Sequence, residues 1–172
     1  ETVADVTAAQ WEEALHELRR AGLLRGDELA HPLYREVAAR FLEPAHRSRL
    51  AARAADVLEE TAPVLAARFV PDAGFPPERT LALMQRGARA AAQARQQRQA
   101  ATFLTQALEW SPGQEQTTLA LEAARLWRML DPRQAGNLAR DVLLREPNHL
   151  EATFLLAGAL IAQGDDCLLY TS

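Results

Sequence analysis

The sequence predicts an all-α protein, and three observations carry that expectation. Alanine and leucine dominate with 35 and 27 copies, whereas valine has 7 and isoleucine one, Ile161. Ala and Leu are strong helix formers, and the β-branched residues that suit a pleated sheet are nearly absent. Apolar residues recur at helical spacing, with prolines and glycines punctuating the intervals. In the second half of the chain, small residues return at the period of a two-helix unit.

Thr7 is placed to cap a first helix over residues 8–21, whose Trp11, Ala14, Leu15, Leu18 and Ala21 share one face. Gly22 ends it, supplying the left-handed residue that a helix C-terminus favours. Leu23-Leu24-Arg25 and Glu28-Leu29-Ala30 flank Gly26-Asp27 and predict a very short hairpin. A second helix starts near Pro32 or Leu33 and runs to about Leu42, with Leu33, Val37, Ala38 and Phe41 on one side. Pro44 breaks it, because its ring and missing N–H cannot continue the ladder. A third helix over residues 45–60 carries Leu50, Ala54, Val57 and Leu58. This order of helix, two-stranded wing, helix and helix is that of a winged-helix unit. Many such units bind DNA through a basic helix. Here Arg35, Arg40, Arg47, Arg49 and Arg53 are offset by Glu36, Glu43, Asp56, Glu59 and Glu60, the pattern of a solvated mixed-charge face.

Between Pro63 and Pro77 the chain is punctuated by proline. Val64 to Phe69 predict a short helix and Pro71 to Pro77 a turn, which makes this the main internal boundary. Beyond it, Ala100, Leu104, Ala107 and Pro112 are spaced 4, 3 and 5 apart, and 35 residues later Ala135, Ala139, Val142 and Pro147 repeat the spacing. Ala88 and Ala91 precede the first set as Ala123 and Leu126 precede the second. A third unit opens with Leu150, Phe154, Ala157, Gly158 and Ile161. Two helices closed by a proline, at a period near 34, is the arithmetic of tetratricopeptide repeats. The large aromatic anchors of that pattern are replaced by Ala, Leu and Met, as at Met84, Ala91 and Leu104. The expected organisation is a winged-helix-like module at 1–62, a helical linker and turn at 63–78, and a helical-hairpin solenoid at 79–165 with its last repeat truncated. A non-native tail is expected at 166–172.

Charge and composition exclude several functions. The net charge of −4 and isoelectric point near 5.6 give no global attraction to nucleic acid or anionic membrane. All 19 basic residues are arginine, so a phosphate-loop lysine, Schiff-base chemistry and a lysine base are absent from this chain. No apolar stretch is long enough to span a membrane, and no secretory signal opens the chain. A single cysteine, Cys167, excludes an internal disulfide. His16, His46 and His149 share no metal-ligand spacing, and Ser48, Ser111 and Ser172 lie outside any nucleophile-elbow context. No catalytic residue and no metal site is expected, and the expected compartment is the cytoplasm. The chain begins Glu1-Thr2-Val3 without methionine, so a start further upstream, or one removed, is expected. Cys167-Leu168-Leu169-Tyr170-Thr171-Ser172 reads as a translated transposon-end sequencing adapter, the alternative being a short native β-like tail. Arg86, Arg89, Arg95 and Arg98 form a basic strip around the first repeat helix. It is suited either to an acidic peptide or nucleic-acid phosphate, or to ordinary solvation among Gln93, Gln96, Gln97 and Gln99.

Trp11-Glu12-Glu13-Ala14-Leu15, Gly22-Leu23-Leu24, His31-Pro32-Leu33-Tyr34-Arg35-Glu36 and Arg47-Ser48-Arg49-Leu50 follow one another. Together they resemble the winged-helix module after the ATPase core of STAND-class signal-transduction ATPases, among them large LuxR- and SARP-type bacterial transcriptional regulators. Leu65-Ala66-Ala67-Arg68-Phe69, Ala73-Gly74, Pro77-Glu78-Arg79 and Arg86-Gly87-Ala88-Arg89-Ala90-Ala91 are similar to the linker and first repeat helix of those proteins. The resemblance covers about residues 8–165. It implies the middle of a larger switch: an upstream ATPase in cis that binds ATP or ADP, repeats that hold a protein, peptide or small effector, and a separate output domain. The fragment itself is expected to hold no cofactor and to hydrolyse nothing. In related ATPases a winged-helix histidine of a Met-His-Asp-like motif contacts the β-phosphate of ADP. Ala30-His31-Pro32-Leu33 occupies that place, so the resemblance makes His31 the candidate cofactor contact, with Pro32 where the motif has aspartate. The local alternative is that His31 caps the helix beginning at Pro32. A freestanding tetratricopeptide scaffold that docks partner proteins, and direct DNA binding by the winged helix, are the competing functions.

Overall fold

The structure, a computed structural model, describes residues 7–26 and 28–164. It is mostly helical, with one two-stranded sheet among the described residues. Helix α1 (Ala8–Arg20) starts at Thr7, whose hydroxyl accepts from the Gln10 N–H while the Gln10 side chain accepts from the Thr7 N–H. This reciprocal capping box satisfies two otherwise orphaned donors. Gly22, at φ +71°, releases the chain into β1 (Leu24–Arg25), which pairs antiparallel with β2 (Glu28–Leu29). Helix α2 (Pro32–Phe41) follows. No described residue of α1 is buried, and Trp11, Leu33 and Phe41 are exposed. Of the α1 face read from the sequence, Leu15 is half-buried while Trp11, Ala14 and Leu18 are exposed.

From α3 (Pro44–Leu58) onward each helix packs on the next: α4 (Pro63–Ala73), α5 (Pro77–Gln93), α6 (Gln97–Ala107), α7 (Gly113–Leu130), α8 (Pro132–Arg145) and α9 (Leu150–Gln163). A short 3-10 turn, Leu108–Trp110, separates α6 from α7. Proline at the first helical turn of α3, α4, α5 and α8 starts these helices where its missing N–H has no intrahelical role. The core runs continuously from Ala67 and Val70 through Met84, Phe103, Leu104 and Trp127 to Val142 and Leu155.

Small residues set the approach of the helices. Ala100, Leu104 and Ala107 on α6, and Ala135, Ala139 and Val142 on α8, are all buried, as their shared spacing predicts. The same register occurs once more in α4, where Ala66, Val70 and Ala73 are also buried. Sequence reading missed that copy, because its proline comes at Pro76 and Pro77, sooner than the pattern demands. Helix α3, assigned from sequence to the first module, packs extensively on α4 and buries Ala51, Ala54 and Ala55.

One local expectation is corrected. The turn assigned from Pro71 onward is helical as far as Ala73. Pro71 lies in the last turn of α4, where its missing N–H deprives only the Ala67 carbonyl of a partner. Continuing the helix keeps Val70 and Ala73 on one buried face, and Gly74 at φ +67° ends it. The Ser48 hydroxyl donates to the Ala73 carbonyl at 3.0 Å, tying α3 to that end.

Candidate functional site

His31 immediately precedes α2, and its Nδ1 accepts from the Leu33 N–H at 3.1 Å. That is an N-terminal cap made by an imidazole, and it requires the Nδ1 lone pair. The ring proton of the capping tautomer therefore sits on Nε2. Tyr34 meets the ring edge-on, with centroids 6.1 Å apart. The cap and a ligand contact are compatible, because the cap uses only one nitrogen and leaves an Nε2–H donor on an exposed side chain.

In the helical stack, polar pairs connect alternate helices. Arg79 on α5 donates to Asp56 on α3 at 2.5 Å. Arg86 pairs with Glu59 at 3.2 Å and makes a two-pronged contact with Glu60 at 2.8 and 2.6 Å. The Arg86 guanidinium holds the Glu60 carboxyl below its ordinary range by hydrogen bonding first and by charge second. Gln85 on α5 donates to Glu115 on α7 at 2.9 Å. Arg125 on α7 donates to Glu151 on α9 at 2.5 Å and lowers the Glu151 pKa in the same way. Between α5 and α7 lies a furrow of about 340 Å³, with Leu104 and Leu119 beneath Gln85, Arg89, Glu115 and Glu122. Thr118 also lines it, and its chemistry is that of a polar rim over an apolar floor.

The structure divides the arginine strip read from the sequence. Arg86 is engaged by Glu59 and Glu60, just past the C-terminal end of α3, and Arg89 lines the α5–α7 furrow. Arg95 and Arg98 lie together in a different cleft, with Arg68 of α4. Sequence reasoning did not associate Arg68 with them, since it lies 27 residues before Arg95. His149 caps α9 through Nδ1, His46 lies 3.6 Å from Glu43, and Ser111 donates to the Ala107 carbonyl. Among the described residues no group of three His, Cys, Asp or Glu side chains could hold a metal, and no helix is long and apolar enough to cross a membrane. Cys167 and the rest of the tail 166–172 lie outside the described residues. No protein-family model, no curated protein and no solved structure matches the chain.

Proposed function

We propose that this chain is a non-catalytic sensor and protein-interaction segment of a larger, nucleotide-dependent bacterial transcriptional regulator. In this reading, residues 1–62 are a winged-helix-like module, 63–78 a helical linker and turn, and 79–165 tetratricopeptide-type repeats, and the setting is cytoplasmic. The observation that supports it best is the continuous helical stack from α3 to α9, whose α5–α7 furrow offers Arg89 and two carboxylates above an apolar floor. Stacked helical pairs of this kind present extended surfaces for a peptide, a partner or a small effector. ATP or ADP is bound by an upstream ATPase domain in cis, and His31 reaches its phosphate through Nε2–H.

Reading the natural coding sequence upstream of Glu1 tests the proposal. A glycine-rich phosphate loop within a few hundred codons is the expected result. A start codon close by would replace the switch with the freestanding scaffold. In the longer protein, His31→Ala should loosen ADP or raise basal output. Unchanged ADP affinity together with unchanged output would remove His31 from the site.

A further inference from the structure

A cleft of about 820 Å³ opens between α4, the turn joining α5 to α6, and α6 itself. Most of its boundary is open to solvent, so a bound molecule would lie against its wall with one side exposed. Arg68, Arg95 and Arg98 all line it, and no Asp or Glu does. Elsewhere in the stack Arg79, Arg86 and Arg125 each meet a carboxylate. Here Arg68 is steadied by the Gln99 side-chain carbonyl, at 2.8 and 3.1 Å, and Arg98 lies 5.6 Å from the Trp127 ring centroid. Neither contact neutralises the positive charge. Among the described residues, no ion pair or hydrogen bond engages the Arg95 side chain.

Arg95 also stands where another residue would fit the backbone better. It follows the C-cap of α5 at φ +59°, the only non-glycine residue at positive φ among those described. The N–H groups of Arg95 and Gln96 bond back to the Ala92 and Ala91 carbonyls, the closure that normally takes glycine. Glycine does stand at positive φ after α1, α4 and α9. An L side chain held in that region is strained, and here the strain places a guanidinium at the cleft.

We propose that this cleft binds a small phosphate monoester. Arg68, Arg95 and Arg98 hold its dianion, and its organic body rests against Pro71, Phe103 and Leu130. A phosphate monoester offers three terminal oxygens, one for each guanidinium, and a carboxylate offers only two. The site is separate from the α5–α7 furrow and does not depend on an upstream ATPase.

Titration of the 172-residue chain with phenyl phosphate, followed by calorimetry and by phosphorus NMR, tests the site. Saturable binding below about 1 mM, tighter than inorganic phosphate, is expected. Arg95→Gln and Arg98→Gln should each weaken it about tenfold, and Arg140→Gln, on the exposed side of α8 and in neither binding surface, should leave it unchanged. Arg95→Gly separates charge from folding, since it should raise the thermal midpoint while weakening binding. No saturation by about 10 mM, equal binding of inorganic phosphate, equal loss in Arg140→Gln, or a lowered midpoint in Arg95→Gly would each overturn the proposal.

Discussion

At Gly87 the α5 backbone comes so close to α4 that a Cβ would lie 2.3 Å from the Ala67 Cβ and 3.2 Å from the Pro63 carbonyl oxygen. Neither neighbour can rotate away, because one is a methyl and the other is backbone. Gly87→Ala should therefore force α4 and α5 apart and destabilise the stack by about 2 kcal/mol, as overpacking commonly does. Denaturant midpoints measure it, and a double-mutant cycle with Ala67→Gly should return a favourable coupling term. A different kind of residue-scale effect is expected at Glu151. Its folded pKa is lowered by Arg125, so its contribution is present above the ordinary carboxylate range and fades as pH falls through the lowered value. The pair is partly exposed, with side chains 55 % and 37 % accessible, which limits the effect to about 0.5 kcal/mol. Glu151→Gln should lower stability by that amount at neutral pH and leave it unchanged at pH values where the carboxyl is already protonated. Thermal melts at both pH values, at low salt, check the sign.

Elements differ in how much tertiary contact supports them. Helices α3 to α9 are each packed against a neighbour and contribute buried residues, whereas α1 contributes none. Short helices with no tertiary support are marginal in water. Amide exchange should consequently be fast through α1, β1, β2 and α2 and slow through α5 to α8, with the protection rising near α3 and α4. Equal protection in α1 and α7 would contradict this ordering. In α7, Trp127 spans two elements by donating from Nε1 to the Thr105 hydroxyl on α6 at 3.0 Å. Its burial and that bond together join α6 to α7 at a point where side-chain volume, not small-residue approach, fills the interface.

Across the whole molecule, exposed large apolar side chains cluster at the two ends of the described chain, with Leu65, Phe69, Met129 and Leu144 exposed between them. Trp11 and Phe41 are exposed in the N-terminal module, and Leu150, Phe154 and Ile161 on α9, with Phe154 at 75 %. The equivalent faces of α5 and α7, at Ala88 and Ala123, are buried by the helices that follow them. Contiguous exposed apolar residues of this kind promote association. Sedimentation velocity on the 172-residue chain at tens of micromolar should show self-association, reduced by Phe154→Asp with Ile161→Asp. A monodisperse monomer unaffected by the double substitution would argue against it.

What was legible in the sequence is what depends on near neighbours along the chain. The Thr7 cap, the Gly22 stop, the hairpin around Gly26 and the small residues of α6 and α8 all follow from local conformational demands or fixed spacing. Periodicity also disclosed that α1 has an apolar face, but a face is defined by one helix and its cover by another. Tertiary structure alone decided that this face stays open, that α4 runs through Pro71, and that Gly87 meets Ala67. It also divided one run of arginines between acids just past the end of α3, a furrow between α5 and α7, and a cleft shared with Arg68. These outcomes depend on partners tens of residues away, whose offset is set by how closely the helices stack.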